Sequence, residues 1–274
     1  MQSLPRTIWF HWMQGLPEAP PIVRACHQSW LKANPNWEVV VIDENNLGAY
    51  TRTDFGRAHL RELPPNQKAD LIRLDLLAQH GGVWADATCY SMRPLDSWLP
   101  DVSPAGLFAF QRPGRDRLLS SWFLASVPGH DLITKWYDMM VSYWGDRAFR
   151  NRERPLVHRA VATALNRSVP LTRFWFSPFV RDRLAVTPYF AVHYAFAELV
   201  RSDPSCARAW QCVPPVSSDT ARGIFRDDVP VPLTPSLREQ IDTARAPLYK
   251  LSRRVGTAPA GSALAYLLGA PGEG

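Results

Sequence analysis

Along the first part of the chain the apolar positions come in short blocks of alternating period. Residues 7–12 (TIWFHW) are β-branched and aromatic and predict a first buried strand. Ile22, Val23, Ala25, Cys26, Trp30 and Leu31 then recur near a helical spacing, so residues 21–33 predict a helix, closed by Asn34-Pro35-Asn36. Residues 37–42 are apolar except for Glu38 and predict a second strand, with Asp43 and Glu44 directly behind it. Strand, helix, strand in that order predicts a parallel pair. Residues 45–65 are mixed and end on Pro64-Pro65.

The stretch that organises the chain is NQKADLIRLDLLAQHGGVWADATC, residues 66–89. Leu71, Ile72, Leu74, Leu76, Leu77 and Ala78 lie in good helix formers spanning three turns without a proline. Asn66 is placed to cap this helix and Gly81 to stop it. Val83, Trp84 and Ala85 predict a short buried strand, and Asp86 follows where such strands present side chains to ligands. Trp12, Asp43 and Asp86 would then share one rim of the sheet. Further on, residues 106–111 predict another short strand, 131–144 an amphipathic helix, 156–165 a shorter helix, and 189–200 a helix apolar nearly all round and therefore buried. Arg93-Pro94-Leu95 and Pro100 mark a link between a first half, 1–100, and a helix-rich second half, 101–274, of one α/β domain.

Composition narrows the chemistry. The 11 Trp suit a core, but also sugar faces and base stacking, because each offers an apolar plane and a donor. The net charge of +6 is local: residues 145–185 carry nine Arg against Asp146, Glu153 and Asp182. That stretch reads as a solvated basic face, or as a neighbour of an anionic acceptor or the anionic inner face of a membrane. No nucleic-acid motif accompanies it, so nucleic acid is not the expected partner. Cys26, Cys89, Cys206 and Cys212 form no Cys-x-x-Cys; Cys206 and Cys212 are near enough in sequence to pair, but four reduced thiols in a cytoplasmic protein is the simpler expectation. Residues 8–13 are too short for a signal peptide, and no stretch approaches the roughly 18 apolar residues of a membrane span.

Asp70 and Arg73, three apart, share a helix face. Alone they read as a surface ion pair, and Asp86 reads as a turn residue. With Gly81-Gly82, Trp84 and Asp86-Ala87-Thr88 they form a spaced constellation. This segment resembles the core motif of the capsular polysaccharide synthesis family of glycosyltransferases and, more distantly, glycosyltransferase family 32 and the clostridial glucosylating toxins. Their pattern ends in Asp-x-Asp; here Thr88 replaces the final acid. The resemblance implies a GT-A-like, Rossmann-type mixed sheet flanked by helices, with a nucleotide-sugar half before residue 100 and an acceptor half after it. It also implies retaining transfer from a nucleotide sugar, UDP-linked in preference, to a glycan, lipid-linked or small-molecule acceptor.

Residue by residue, the resemblance implies that Asp70, Arg73 and Asp86 are catalytic. Donor contacts are expected from Trp12, stacked on the donor base, and from Gly15, Asp70, Arg73, Gly82, Ser121 (where the family tends to have Asn) and Lys250. A Mn²⁺ or Mg²⁺ ion is expected on Asp86, Thr88 and His193, the last from a His-Tyr pair that otherwise reads as core. Lys250, close to Arg253 and Arg254, otherwise reads as part of a basic surface strip. Two other readings stand beside the transferase: a catalytically inactive nucleotide-binding component of a polysaccharide-assembly complex, suggested by Thr88, and nucleic-acid binding by the arginine-rich stretch.

Overall fold

The block TIWFH does form a strand, β1 (Thr7–His11), with Ile8, Trp9 and Phe10 buried, in a computed structural model that describes residues 3–145, 147, 149–226 and 228–269. Helix α1 (Pro21–Ala33) leads to β2 (Glu38–Ile42), which pairs with β1 in parallel, Thr7 opposite Glu38 and His11 opposite Ile42. Helix α2 (Pro65–His80) leads to β3 (Gly82–Asp86), parallel to β1 on its other side, with His11 opposite Asp86. The predicted parallel strands and their shared rim are therefore present.

Two points of α2 differ from expectation. Pro64 occupies the cap position and Pro65 the first turn, so the fixed φ of proline starts the helix rather than an Asn66 side chain. The helix is also buried from Asp70 to Ala78, because it packs on the sheet and against α3 (Asp131–Trp144). Asp70 and Arg73 are thus an interior pair. Asp75, fully buried on the same helix, accepts from the backbone N–H of Arg52 at 2.7 Å and of Thr53 at 2.9 Å, and from Arg52 Nε at 2.9 Å, and so ties the loop after residue 50 to the helix.

Gly81 ends the helix as predicted, at φ 65°, and Gly82 follows at φ 88°. Their conformation suits glycine, and so does their crowding. A Cβ on Gly81 would lie 2.6 Å from Pro128 N, and one on Gly82 would lie 2.6 Å from Thr7 O. The glycine pair lets the chain turn from helix to strand while β3 lies tightly against β1.

The sheet continues through β5 (Leu107–Gly114) and β6 (Arg117–Ser126), which follow the short β4 (Cys89–Ser91). β6 runs antiparallel to both β3 and β5, giving the order β2-β1-β3-β6-β5. The result is the mixed α/β sheet flanked by helices that the GT-A-like expectation requires. The later chain is mainly helical: α4 (Pro155–Leu165), α5 (Ala191–Ser202) and α6 (Pro204–Gln211), with α5 packed on β6, α3 and α6. It then returns to β4 through one three-residue strand (Leu248–Lys250), antiparallel, with Lys250 opposite Cys89. All four cysteines are free thiols, so Cys206 and Cys212 are not bridged. Among the described residues no helix is long and apolar enough to cross a membrane.

Candidate active site

At the carboxyl ends of β1 and β3 the sheet opens into a cleft of about 760 Å³. Trp12 enters it from the end of β1, Asp86 and Thr88 from the end of β3, Arg73 from α2, and Lys250 from the returning strand. Five of the expected site residues, drawn from four separate elements, are therefore brought together.

Arg73 is the centre of the polar network. Its Nη1 lies 3.2 Å from Asp70 Oδ1 and donates to the Ser121 carbonyl at 2.9 Å and to the Ser121 hydroxyl. Its Nη2 donates to Asp86 Oδ1 at 3.2 Å. Trp84 Nε1 donates to that same oxygen at 2.9 Å, and the guanidinium lies 5.1 Å from the Trp84 ring centroid. Asp86 Oδ2 faces Lys250 Nζ at 3.6 Å, and Lys250 also donates to Thr88 Oγ1. One carboxylate thus joins two cations.

Asp70, Ser121, Gly15, Gly82 and His193 do not line the cleft. Asp70 and Ser121 lie behind Arg73 and hold it. Gly82 serves the close approach of β3 to β1, and Gly15, at φ 81°, serves the turn after β1, its N–H donating to Trp12 O at 2.9 Å. His193 is half-buried on α5.

Charge and burial set the ionisation here. Burial raises the Asp70 carboxyl to about 7 against the opposing pull of Arg73. Burial first, then Arg73, lowers the His11 imidazole to about 4. Burial, then Arg117 and Arg73, lowers His193 well below its ordinary value. Both rings are therefore neutral at physiological pH. His11 Nε2, Trp12 Nε1, Trp122 Nε1 and Arg73 Nε are buried without a hydrogen-bond partner among the described residues, and all four residues line the cleft.

Two further arginines of the site carry no signal in the sequence. Arg117 and Arg222 line the cleft with Arg253 and Arg254, and the Arg117 guanidinium stacks 3.8 Å from the Phe190 centroid. Only the antiparallel return of β6 and the later loops bring them in. Conversely, no arginine of the basic stretch 145–185 lines the cleft. Arg159 and Arg167 of that stretch, with Arg115, instead border a separate, shallow hollow beside α4.

The metal expectation does not fit these residues. Among the described residues no three His, Cys, Asp or Glu side chains converge as ligands. Asp86 is held by two cations, and Thr88 supplies one neutral hydroxyl, itself occupied by Lys250.

The chain is 26% identical over 159 residues to "O-glycosyltransferase braB" of Annulohypoxylon truncatum, covering 51% of this chain and 38% of that protein. It is 24% identical over 162 residues to "O-glycosyltransferase PaGT" of Phomopsis amygdali, covering 52% and 40%. These matches span about two fifths of the length of those curated relatives. Among solved structures, "PaToxG Glycosyltransferase" is similar at a TM-score of 0.40 and 13% identity, covering 76% of each chain. The family described as "Capsular polysaccharide synthesis protein" matches residues 1–151, more than half of the sequence, and the chain belongs to that family.

Proposed function

We propose that this protein is a glycosyltransferase moving a sugar from a nucleotide-sugar donor, UDP-linked in preference, to a hydroxyl of a glycan, lipid-linked or small-molecule acceptor. The observation that carries this reading is the cationic cleft at the carboxyl rim of the parallel strands. There Arg73, Asp86 and Lys250 meet beside Trp12. The family membership and the relatives' names support the same reaction class.

In such a transfer the bond from the sugar's anomeric carbon to the diphosphate oxygen breaks. A new bond forms to the acceptor oxygen, and the acceptor's proton leaves with the nucleoside diphosphate. Negative charge grows on the departing diphosphate, so fixed cations aimed at it contribute most. Arg73 and Lys250 supply that charge, Trp12 stacks on the base, and Asp86 orients both cations while facing the ribose. Asp70 and Ser121 act through Arg73 as positioning residues. Retention of anomeric configuration follows the family resemblance and is read from the product's anomeric NMR signals.

Thermal-shift screening against a panel of nucleotide sugars, followed by measurement of slow donor hydrolysis, tests the proposal. UDP-sugars should raise the melting temperature, and Arg73→Ala and Asp86→Ala should each abolish turnover in a folded protein. Normal rates from both variants would reject the site. Thr88 in place of an acid favours one rival, an inactive nucleotide-binding component. That rival predicts donor binding without any hydrolysis.

A further inference from the structure

Two residues after Asp86, where the wider Asp-x-Asp pattern has a second carboxylate, the chain carries Thr88. The space between these side chains is already filled by a cation. Lys250 donates to Thr88 Oγ1 and lies 3.6 Å from Asp86 Oδ2. Backbone pairing fixes this placement: Cys89 stands opposite Lys250, and the N–H of Leu251 donates to the Thr88 carbonyl at 2.7 Å. The remaining Asp86 oxygen accepts from Arg73 and Trp84.

A divalent ion at this carboxylate would face two positive charges and find one neutral hydroxyl as its second ligand. An ammonium group has three donors. One goes to Thr88, Asp86 holds the group as an ion pair, and the side chain keeps 22% exposure, with Lys250 lining the cleft. Arg222, Arg253 and Arg254 line the same cleft. Arg254 is paired with Asp228 at 2.8 Å, while burial, then Arg117, weakens the hold of Arg222 on its proton.

We propose, resting on the donor reading above, that Lys250 is the built-in counterion of the donor diphosphate, and that the protein binds a nucleoside diphosphate without a divalent metal. A lysine suits this task as a point charge for phosphate. Held by Asp86 and Thr88 before the ligand arrives, it needs no reorganisation as charge builds. Thr88 is then a second support for the ammonium, and its hydroxyl suffices where a metal would have required an acid.

Isothermal titration calorimetry with UDP, and with GDP as a second probe, tests this on the full chain with EDTA present throughout and again with excess Mn²⁺ or Mg²⁺. The wild-type protein should bind UDP or GDP equally well, within about threefold, in EDTA and in metal. Lys250→Ala should weaken binding about 10- to 100-fold, the loss of a hydrogen bond to a charged group. Lys250→Arg should recover part of that affinity, and circular dichroism should show all three proteins folded. Binding that appears only when metal is added overturns the proposal without a variant being needed. Wild-type affinity in Lys250→Ala overturns it too, while leaving the donor reading intact. Failure of both nucleotides to bind under every condition overturns the donor reading and the proposal together.

Discussion

At the scale of single residues, Arg73 is a buried charge joined to two carboxylates. Its side chain is 7% exposed and that of Asp70 11%, so neither ion has bulk water as an alternative partner. Arg73→Ala would strand Asp70, and breaking a buried pair typically costs about 3–5 kcal/mol. Asp70→Asn should cost much less, because burial already pushes that carboxyl towards its neutral form at about 7. Urea unfolding of both variants measures the difference, and equal losses would contradict the interior pairing. Trp12 answers a different question. It is half-buried with an unpartnered ring nitrogen, so Trp12→Ala should weaken UDP binding by about 1–3 kcal/mol while Trp12→Phe keeps most of it. Calorimetry with UDP separates a stacking surface from a packing residue, since packing alone would move only the melting temperature.

At the scale of elements, the glycine pair decides whether β3 can deliver Asp86. Gly82→Ala places a Cβ 2.6 Å from Thr7 O at φ 88°, so both the pairing with β1 and the backbone conformation suffer. The expected loss is about 2 kcal/mol or more, read by thermal unfolding, with UDP affinity falling in parallel because the strand ends in the site. Elements built from local pattern were legible in the sequence: α1 and α3 have the predicted limits, and β1, β2 and β3 pair in parallel as strand-helix-strand order requires. The antiparallel β6 was not, because nothing in its own residues says that Ser121 will face an arginine 48 positions earlier. The start of α2 was misread for a local reason, since two prolines preset the backbone before Asn66 could cap it. The site was legible where a motif is contiguous, as from Asp70 to Thr88. It was obscure where the fold gathers Arg117 from the start of β6 and Arg222 from a later turn, segments whose only common property is charge.

At the scale of the whole molecule, histidines drawn wholly or partly out of water bias stability against acid. Burial is the first cause in lowering His11, His27, His130 and His193, and His11 falls from 6.5 to about 4. Below its ordinary pKa the unfolded chain binds a proton at each site that the folded chain refuses. Stability therefore falls as pH drops from 6.5 towards 4. Asp70 works in the other direction, since its raised pKa makes the folded state bind the extra proton over much the same range. Four histidines against one carboxyl should leave a lower melting temperature at about pH 5 than at about pH 7, and His11→Gln should shrink that gap. A gap unchanged in the variant would place the titration elsewhere.

The pairing of the strand Leu248–Lys250 with β4 carries a consequence for synthesis. Lys250 meets Thr88 across 162 positions of chain. While the polypeptide is still emerging from the ribosome, the first 126 residues already hold every strand of the main sheet, yet the floor of the cleft has no ammonium in it. On the proposed role of Lys250, a nascent chain would complete its sheet before it could grip a donor.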